Sequence, residues 1–183
     1  MKKFKSIFAL ILIILMILMC SCSKAKNKGY SLFKSSPIGF ELEYPSYWDK
    51  EIDNKNKIVA FVSPNVGLDD NYRENLTVAS QDAGDGIETI EDYIKAYKIS
   101  LKQNLKNFEL ISEQPVTVDD NEAYEIIYTS QSDEKEESTS LKFMQTLVLK
   151  DKKVIIISYL AEPDSYSFFM PYIKTIMSTI KIK

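Results

Sequence analysis

The only two thiols of this chain could serve as nucleophile, soft metal ligand or covalent bridge, and they sit one residue apart. Cys20 and Cys22 close the run Ile17-Leu18-Met19-Cys20-Ser21-Cys22. A disulfide between them would close a small, strained ring. Structural zinc needs four ligands, with two or more residues between paired cysteines, and the chain contains no histidine. What precedes the cysteines is informative. Met1-Lys2-Lys3-Phe4-Lys5 is basic, and Ile7 to Met19 is an almost unbroken apolar run, too short for a comfortable membrane-spanning helix. A basic head, an apolar middle and a small polar end make a secretory signal.

The end of that signal resembles a bacterial lipobox, in which a small residue precedes a cysteine that is acylated and becomes the first residue of the mature protein. Ser21 before Cys22 meets that requirement, whereas Met19 before Cys20 is too bulky. The expected arrangement is a lipoprotein signal peptide over 1–21, lipidation at Cys22, and a diacylglyceryl anchor on the extracytoplasmic face of a bacterial cell membrane. Two acyl chains suffice for stable anchoring where one is marginal. A plainly cleaved signal and an uncleaved anchor are the alternative readings of the same segment.

Other chemistries are restricted by what is missing. Without histidine there is no Ser/His/Asp or Cys/His machine, and no Gly-Lys-Ser/Thr phosphate loop occurs. The acidic pairs Asp69-Asp70, Asp119-Asp120 and Glu136-Glu137 offer carboxylates, but glycosidase chemistry needs one of a pair in an apolar pocket. All three pairs lie in polar, turn-like sequence and read as solvated tips. Asp82-Ala83-Gly84-Asp85-Gly86 lies between a strand and a helix; its carboxylates would repel phosphate, and calcium-loop spacing is absent, so an exposed turn is expected. Trp48, the only tryptophan, follows an apolar strand and reads as core rather than as a binding platform. Arg73, the only arginine, lies in a long polar loop and reads as a surface charge, with a clasp for carboxylate or phosphate as the functional alternative. No catalytic residue, cofactor or metal site is expected.

Cleavage before Cys22 takes 21 residues from the 183 and leaves 162, enough for one domain with its own core. Three of the 23 basic residues leave with the signal, so 20 basic side chains face 26 acidic ones. That balance argues against nucleic acid as a partner. Residues 22–36 are polar and read as the lipidated cysteine and a flexible tether, with an edge strand at Tyr30–Phe33 as the alternative for its second half. The domain is expected over 37–183.

Within it, Ile38, Phe40, Leu42 and Tyr44 alternate with polar residues and predict a strand ended by Pro45. Strands are also expected over 57–64, 75–81, 122–130, 139–150 and 154–161, with short extended pieces in 108–118. The segment 154–161 is apolar at both parities and therefore central. Thr89 and Asp92 form a capping box that opens an amphipathic helix carrying Ile90, Tyr93, Ile94, Tyr97, Leu101 and Leu105. A second helix is expected from Asp164 or Ser165 onward, with Pro171 kinking it or starting its main segment. The fold class is α+β, an antiparallel sheet sandwiched by helices.

The segment Gly39-Phe40 through Tyr44-Pro45-Ser46-Tyr47-Trp48, the helix 89–107, the hairpin 139–160 and the run Ile176–Ile180 follow one another as in the PsbP superfamily. That superfamily includes MOG-type Ran-binding proteins and DcrB-like bacterial lipoproteins. The resemblance spans residues 30–183 and implies an α/β/α sandwich. It transfers no functional residue and no photosynthetic role. The expected function is a lipid-anchored extracytoplasmic binding or adaptor protein for an envelope protein or small ligand. The alternative is a carboxylate-based envelope hydrolase acting on cell-wall glycan.

Overall fold

The computed structural model describes residues 29–65, 72–131 and 140–183. The signal segment, Cys22, Asp69-Asp70 and Glu136-Glu137 lie outside the described residues. Among the described residues ten strands and two helices follow in the order β1 (Tyr30–Ser35), β2 (Phe40–Pro45), β3 (Asp49–Asp53), β4 (Ile58–Val62), β5 (Asn75–Asp82), α1 (Ile90–Asn104), β6 (Lys106–Val118), β7 (Asn121–Gln131), β8 (Ser140–Lys150), β9 (Lys153–Ala161), α2 (Tyr166–Ser178) and β10 (Lys181–Ile182). A seven-stranded sheet runs β3-β4-β5-β9-β8-β7-β6, and a three-stranded sheet runs β1-β2-β10. Every pairing is antiparallel.

Strand β9 is the fourth of the seven, at the centre, as its double apolarity requires. Its odd positions Ile155, Ile157 and Tyr159 join one core with Trp48, Phe169, Ile173 and Ile176. Its even positions Val154, Ile156 and Leu160 join the other, beneath Ile90, Tyr93, Ile94, Tyr97 and Leu101 of α1. The result is the expected sandwich: α1 covers one face, while α2 and the small sheet cover the other. Successive side chains of a strand point to opposite faces, so one short sequence supplies both cores.

Helix α1 starts as expected. The Asp92 N–H donates to Thr89 Oγ1 at 3.2 Å, and the Thr89 hydroxyl donates to Asp92 Oδ2 at 2.8 Å. That hydroxyl, acting with Lys95, holds the Asp92 carboxyl below the usual range. Helix α2 is different. Ser165 stands at its N-cap without a side-chain bond, and Pro171 lies inside the helix instead of starting it. Pro171 lacks only a donor to the first helical turn, and its side chain is exposed, so burial of Phe169, Ile173 and Ile176 carries the helix through.

At four places the structure extends or adds to the sequence expectation. Tyr30–Ser35 is a strand paired from Tyr30↔Pro45 to Ser35↔Phe40, which is the edge-strand alternative for 30–33 carried on to Ser35 in place of a tether there. Asp49–Asp53, a charged sequence, is the edge strand β3. Residues 106–118 form one long edge strand rather than short pieces, with register shifts at Lys106/Glu109 and Leu110/Ser112. Bulges, Pro115 and exposed glutamates are what keep such an edge from recruiting other strands. Lastly, Lys181–Ile182 leaves α2 to pair with β2.

The two tight hairpins use Asp119-Asp120 and Asp151-Lys152, all four residues at positive φ. That is the left-handed geometry that matches strand twist in two-residue loops. Gly39, at φ 84°, turns β1 into β2, and its carbonyl accepts from the Lys183 N–H at 2.8 Å.

A polar fork is buried under α1. The Tyr97 and Tyr128 hydroxyls both donate to Gln145 Oε1, at 2.8 and 3.1 Å, and Gln145 Nε2 donates to Ser158 Oγ at 2.9 Å. All four residues are buried. Burial drives the Tyr97 hydroxyl well above the ordinary phenol range, so it stays a donor. Leucine at 145 would strand two hydroxyls in an apolar core. Gln145→Leu is expected to lower unfolding free energy by about 2–4 kcal/mol, and adding Tyr97→Phe should recover part of that loss. Urea denaturation of the single and double variants measures both, and an undiminished midpoint in Gln145→Leu would contradict the assignment.

Candidate functional site

Arg73 is not a free surface charge. It stands just before β5, with its side chain only 18% exposed. Its Nε donates to the Ser63 carbonyl at 2.6 Å, and Nη2 donates to Asp49 Oδ2 at 2.5 Å. The guanidinium therefore ties the start of β3 to the end of β4, using the fixed fork that lysine lacks. Glu51, two residues along β3, has a carboxyl raised by burial and opposed by Arg73. Asp49 and Glu51 thus both face the Arg73 guanidinium from β3. Both lie on an edge strand, outside the two clefts described below. Glu74, beside Arg73, is a buried carboxylate that sequence reasoning missed. It accepts from the Ser63 hydroxyl at 3.3 Å.

Of the acidic pairs, only Asp119-Asp120 is described, and Asp119 is more than a solvated tip. Its Oδ1 accepts from Lys181 Nζ, and its Oδ2 accepts from the Ile182 N–H, both at 2.8 Å. These contacts, led by the Lys181 hydrogen bond, hold its carboxyl below the ordinary range. Asp119 thus clips β10 to the β6–β7 turn. Gly84 and Gly86 are in an exposed turn at positive φ.

The clefts flank the N-terminus of α1. One, of about 440 Å³, is lined by residues including Ile87, Glu88, Glu122, Leu149, Asp151 and Lys152. The other, of about 300 Å³, shares Ile90 and Glu122 and adds Glu91, Pro115 and Thr117. They form an acidic, open groove able to take a small cationic or polar group, without a buried acid at its floor. No three acidic side chains among the described residues are grouped to hold a metal ion.

Trp48 is core, as expected: it is buried, with its ring 6.1 Å from Phe169 and 6.2 Å from Tyr172. Its neighbours are the more informative part. The turn Pro45-Ser46-Tyr47-Trp48 receives the incoming chain, with the Ser46 N–H donating to the Gly29 carbonyl at 2.7 Å and the Ser31 and Ser46 hydroxyls 2.8 Å apart. Tyr47 packs edge-on against Tyr172 at 6.5 Å. Burial, then the Tyr172 hydroxyl, pushes the Tyr47 phenol up to about 12. Tyr172 and Phe168, one turn apart on α2, were read from sequence only as helix residues; their i, i+4 spacing beside the buried stripe was the available signal.

A central antiparallel sheet, one helix on one face, and a helix with a small sheet on the other define a fold class. The family of PsbP-like proteins matches residues 20–182. The chain belongs to that family. Solved structures agree on the fold. PsbP from Synechocystis has a TM-score of 0.61 at 16% identity, with 90% of this chain and 99% of that one covered. LpqN of Mycobacterium tuberculosis, described as involved in cell envelope biogenesis, gives 0.59 at 14%, covering 85% and 91%. The Ran-binding protein Mog1p of Saccharomyces cerevisiae gives 0.57 at 7%, covering 85% and 96%. No curated protein matches by sequence.

Two outcomes follow from the clasp and the clip. Arg73→Met should lose about 1 kcal/mol or more in denaturant unfolding, because it orphans the Ser63 carbonyl and leaves Asp49 without its cation; an unchanged midpoint would return Arg73 to the role of a surface charge. The lowered carboxyl of Asp119 stabilises the fold at pH values above its unfolded pKa of about 3.9, and this contribution is lost as pH falls through the folded value. The stability gap between the parent and Asp119→Asn should therefore be full at neutral pH and shrink below about pH 4, as read from acid-unfolding curves of the two proteins.

Proposed function

We propose that this protein is a lipid-anchored binding or adaptor module of the bacterial cell envelope. The observation that carries the reading is Ser21-Cys22 at the end of a basic-then-apolar leader, followed within eight residues by a folded PsbP-like domain. The envelope role described for LpqN is compatible with it. The binding role draws support from the open acidic groove at α1 and from side chains with chemical potential that are engaged structurally. Arg73 clasps two strands, Asp119 clips a third, and the buried tyrosines serve the core. On this reading the domain presents surfaces to an envelope protein or small ligand, and the lipid holds it at the membrane.

Mass spectrometry of the membrane-extracted protein tests the anchor. The expected amino-terminal peptide begins at Cys22 and carries a diacylglyceryl mass, and Cys22→Ser should leave the precursor unmodified. Intact Met1 on a chain without fatty acid would overturn the reading.

A further inference from the structure

The placement of exposed aromatic side chains around the chain entry points to a second, non-covalent contact with the membrane. Tyr30 is 42% exposed, Leu32 56% and Phe168 59%. Tyr30 lies next to Gly29, whose carbonyl is fastened to the Pro45–Trp48 turn. Tyr47 and Tyr172, both half-buried, pack together at that turn, and the Tyr30 hydroxyl is near enough to Tyr47 to influence its ionisation. Phe168 is one turn before Tyr172 on α2. The patch thus joins three separate segments, β1, the turn after β2 and α2, beside the point where residue 29 enters the fold.

We infer that this patch is a docking face for the bilayer's headgroup–acyl boundary, an inference that rests on the lipid anchor proposed at Cys22. Distance is the first argument. Eight steps along the chain separate Cys22 from Tyr30. They reach at most about 28 Å fully extended and about 16 Å as a flexible coil. A domain of this size is about 40 Å across, so a tether of coil length favours contact through the half of the surface around the entry point and holds the opposite side off the membrane. Chemistry is the second. Tyrosine and phenylalanine with one side apolar and the other wet suit the interface, and the sequence leading into the domain carries Lys24, Lys26 and Lys28, whose charge suits phosphate-bearing headgroups. The third is effective concentration. A tethered patch binds intramolecularly, so a contact too weak to recruit a free protein still orients an anchored one. Docking through this face leaves α1 and its acidic groove, on the other face of the large sheet, turned away from the lipid.

The test is hydroxyl-radical footprinting of the anchored protein in phosphatidylcholine nanodiscs and in detergent-free solution. On the bilayer, oxidation of Tyr30 and Phe168 should fall about threefold or more, while Ile99 on α1 and Leu110 and Ile111 on β6, exposed elsewhere, remain unchanged. Tyr30→Ser combined with Phe168→Ser, both at exposed positions, should return Tyr47 and Tyr172 to their bilayer-free oxidation. Equal oxidation with and without lipid, protection centred on Ile99 or Ile111, or protection that needs no lipid and grows with protein concentration would each overturn the inference. If mass spectrometry finds Cys22 unacylated, the anchor reading fails by itself. The same footprint is then taken on a Cys20→Ser chain coupled through Cys22 to a maleimide lipid, where lack of protection overturns the docking face and its presence supports it.

Discussion

A sheet strand that is apolar on both faces cannot stand at a surface, and β9 is such a strand. Val154 through Ala161 are all buried, which obliges the chain to supply cover on two sides. The remaining architecture meets that demand. Helix α1 carries one apolar stripe and closes the face of Ile156 and Leu160. The other face is wider than one helix, so α2 shares it with β1, β2 and β10. The Phe33, Phe40, Tyr44 and Phe61 rings interlock where the small sheet meets the large one, with centroids 4.6–5.8 Å apart.

How much of this was legible depended on where the physical signal resides. Periodicity reports burial, so the half-buried strands and α1 could be read from spacing alone. Strand β3 could not. Asp49-Lys50-Glu51-Ile52-Asp53 buries little and is held by its backbone ladder to β4 and by Arg73, neither of which has a periodic signature. Strand β10 is two residues long and exists because Asp119, 63 residues earlier, accepts from Ile182. Long-range pairing of that kind leaves no local mark. Pro171 shows the converse: a local rule against helix was overridden by the burial of residues on either side.

The candidate site divides in the same way. Sequence singled out Arg73, Trp48 and the acidic pairs by type, but type does not reveal partners. The lone arginine is engaged by a backbone carbonyl and a carboxylate, and the lone tryptophan is packed. The aromatic patch around Tyr30, by contrast, is assembled from three segments, and no single one of them looks unusual. The proposed leader with Cys22 differs from both, because an address of that kind is read as one linear string.

The join between the two ends of the chain has a kinetic corollary. Strand β2 is among the first to be synthesised, yet its neighbour is residues 181–182, and the Glu43 N–H donates to the Thr179 hydroxyl 136 residues later. Loop closure over that span is entropically costly and forms late. Until that closure is made, wherever folding takes place, β2 keeps an open edge and Phe40 and Leu42 lack part of their final cover. An incomplete fold of that kind exposes apolar surface and an unpaired strand edge, however stable the finished one becomes.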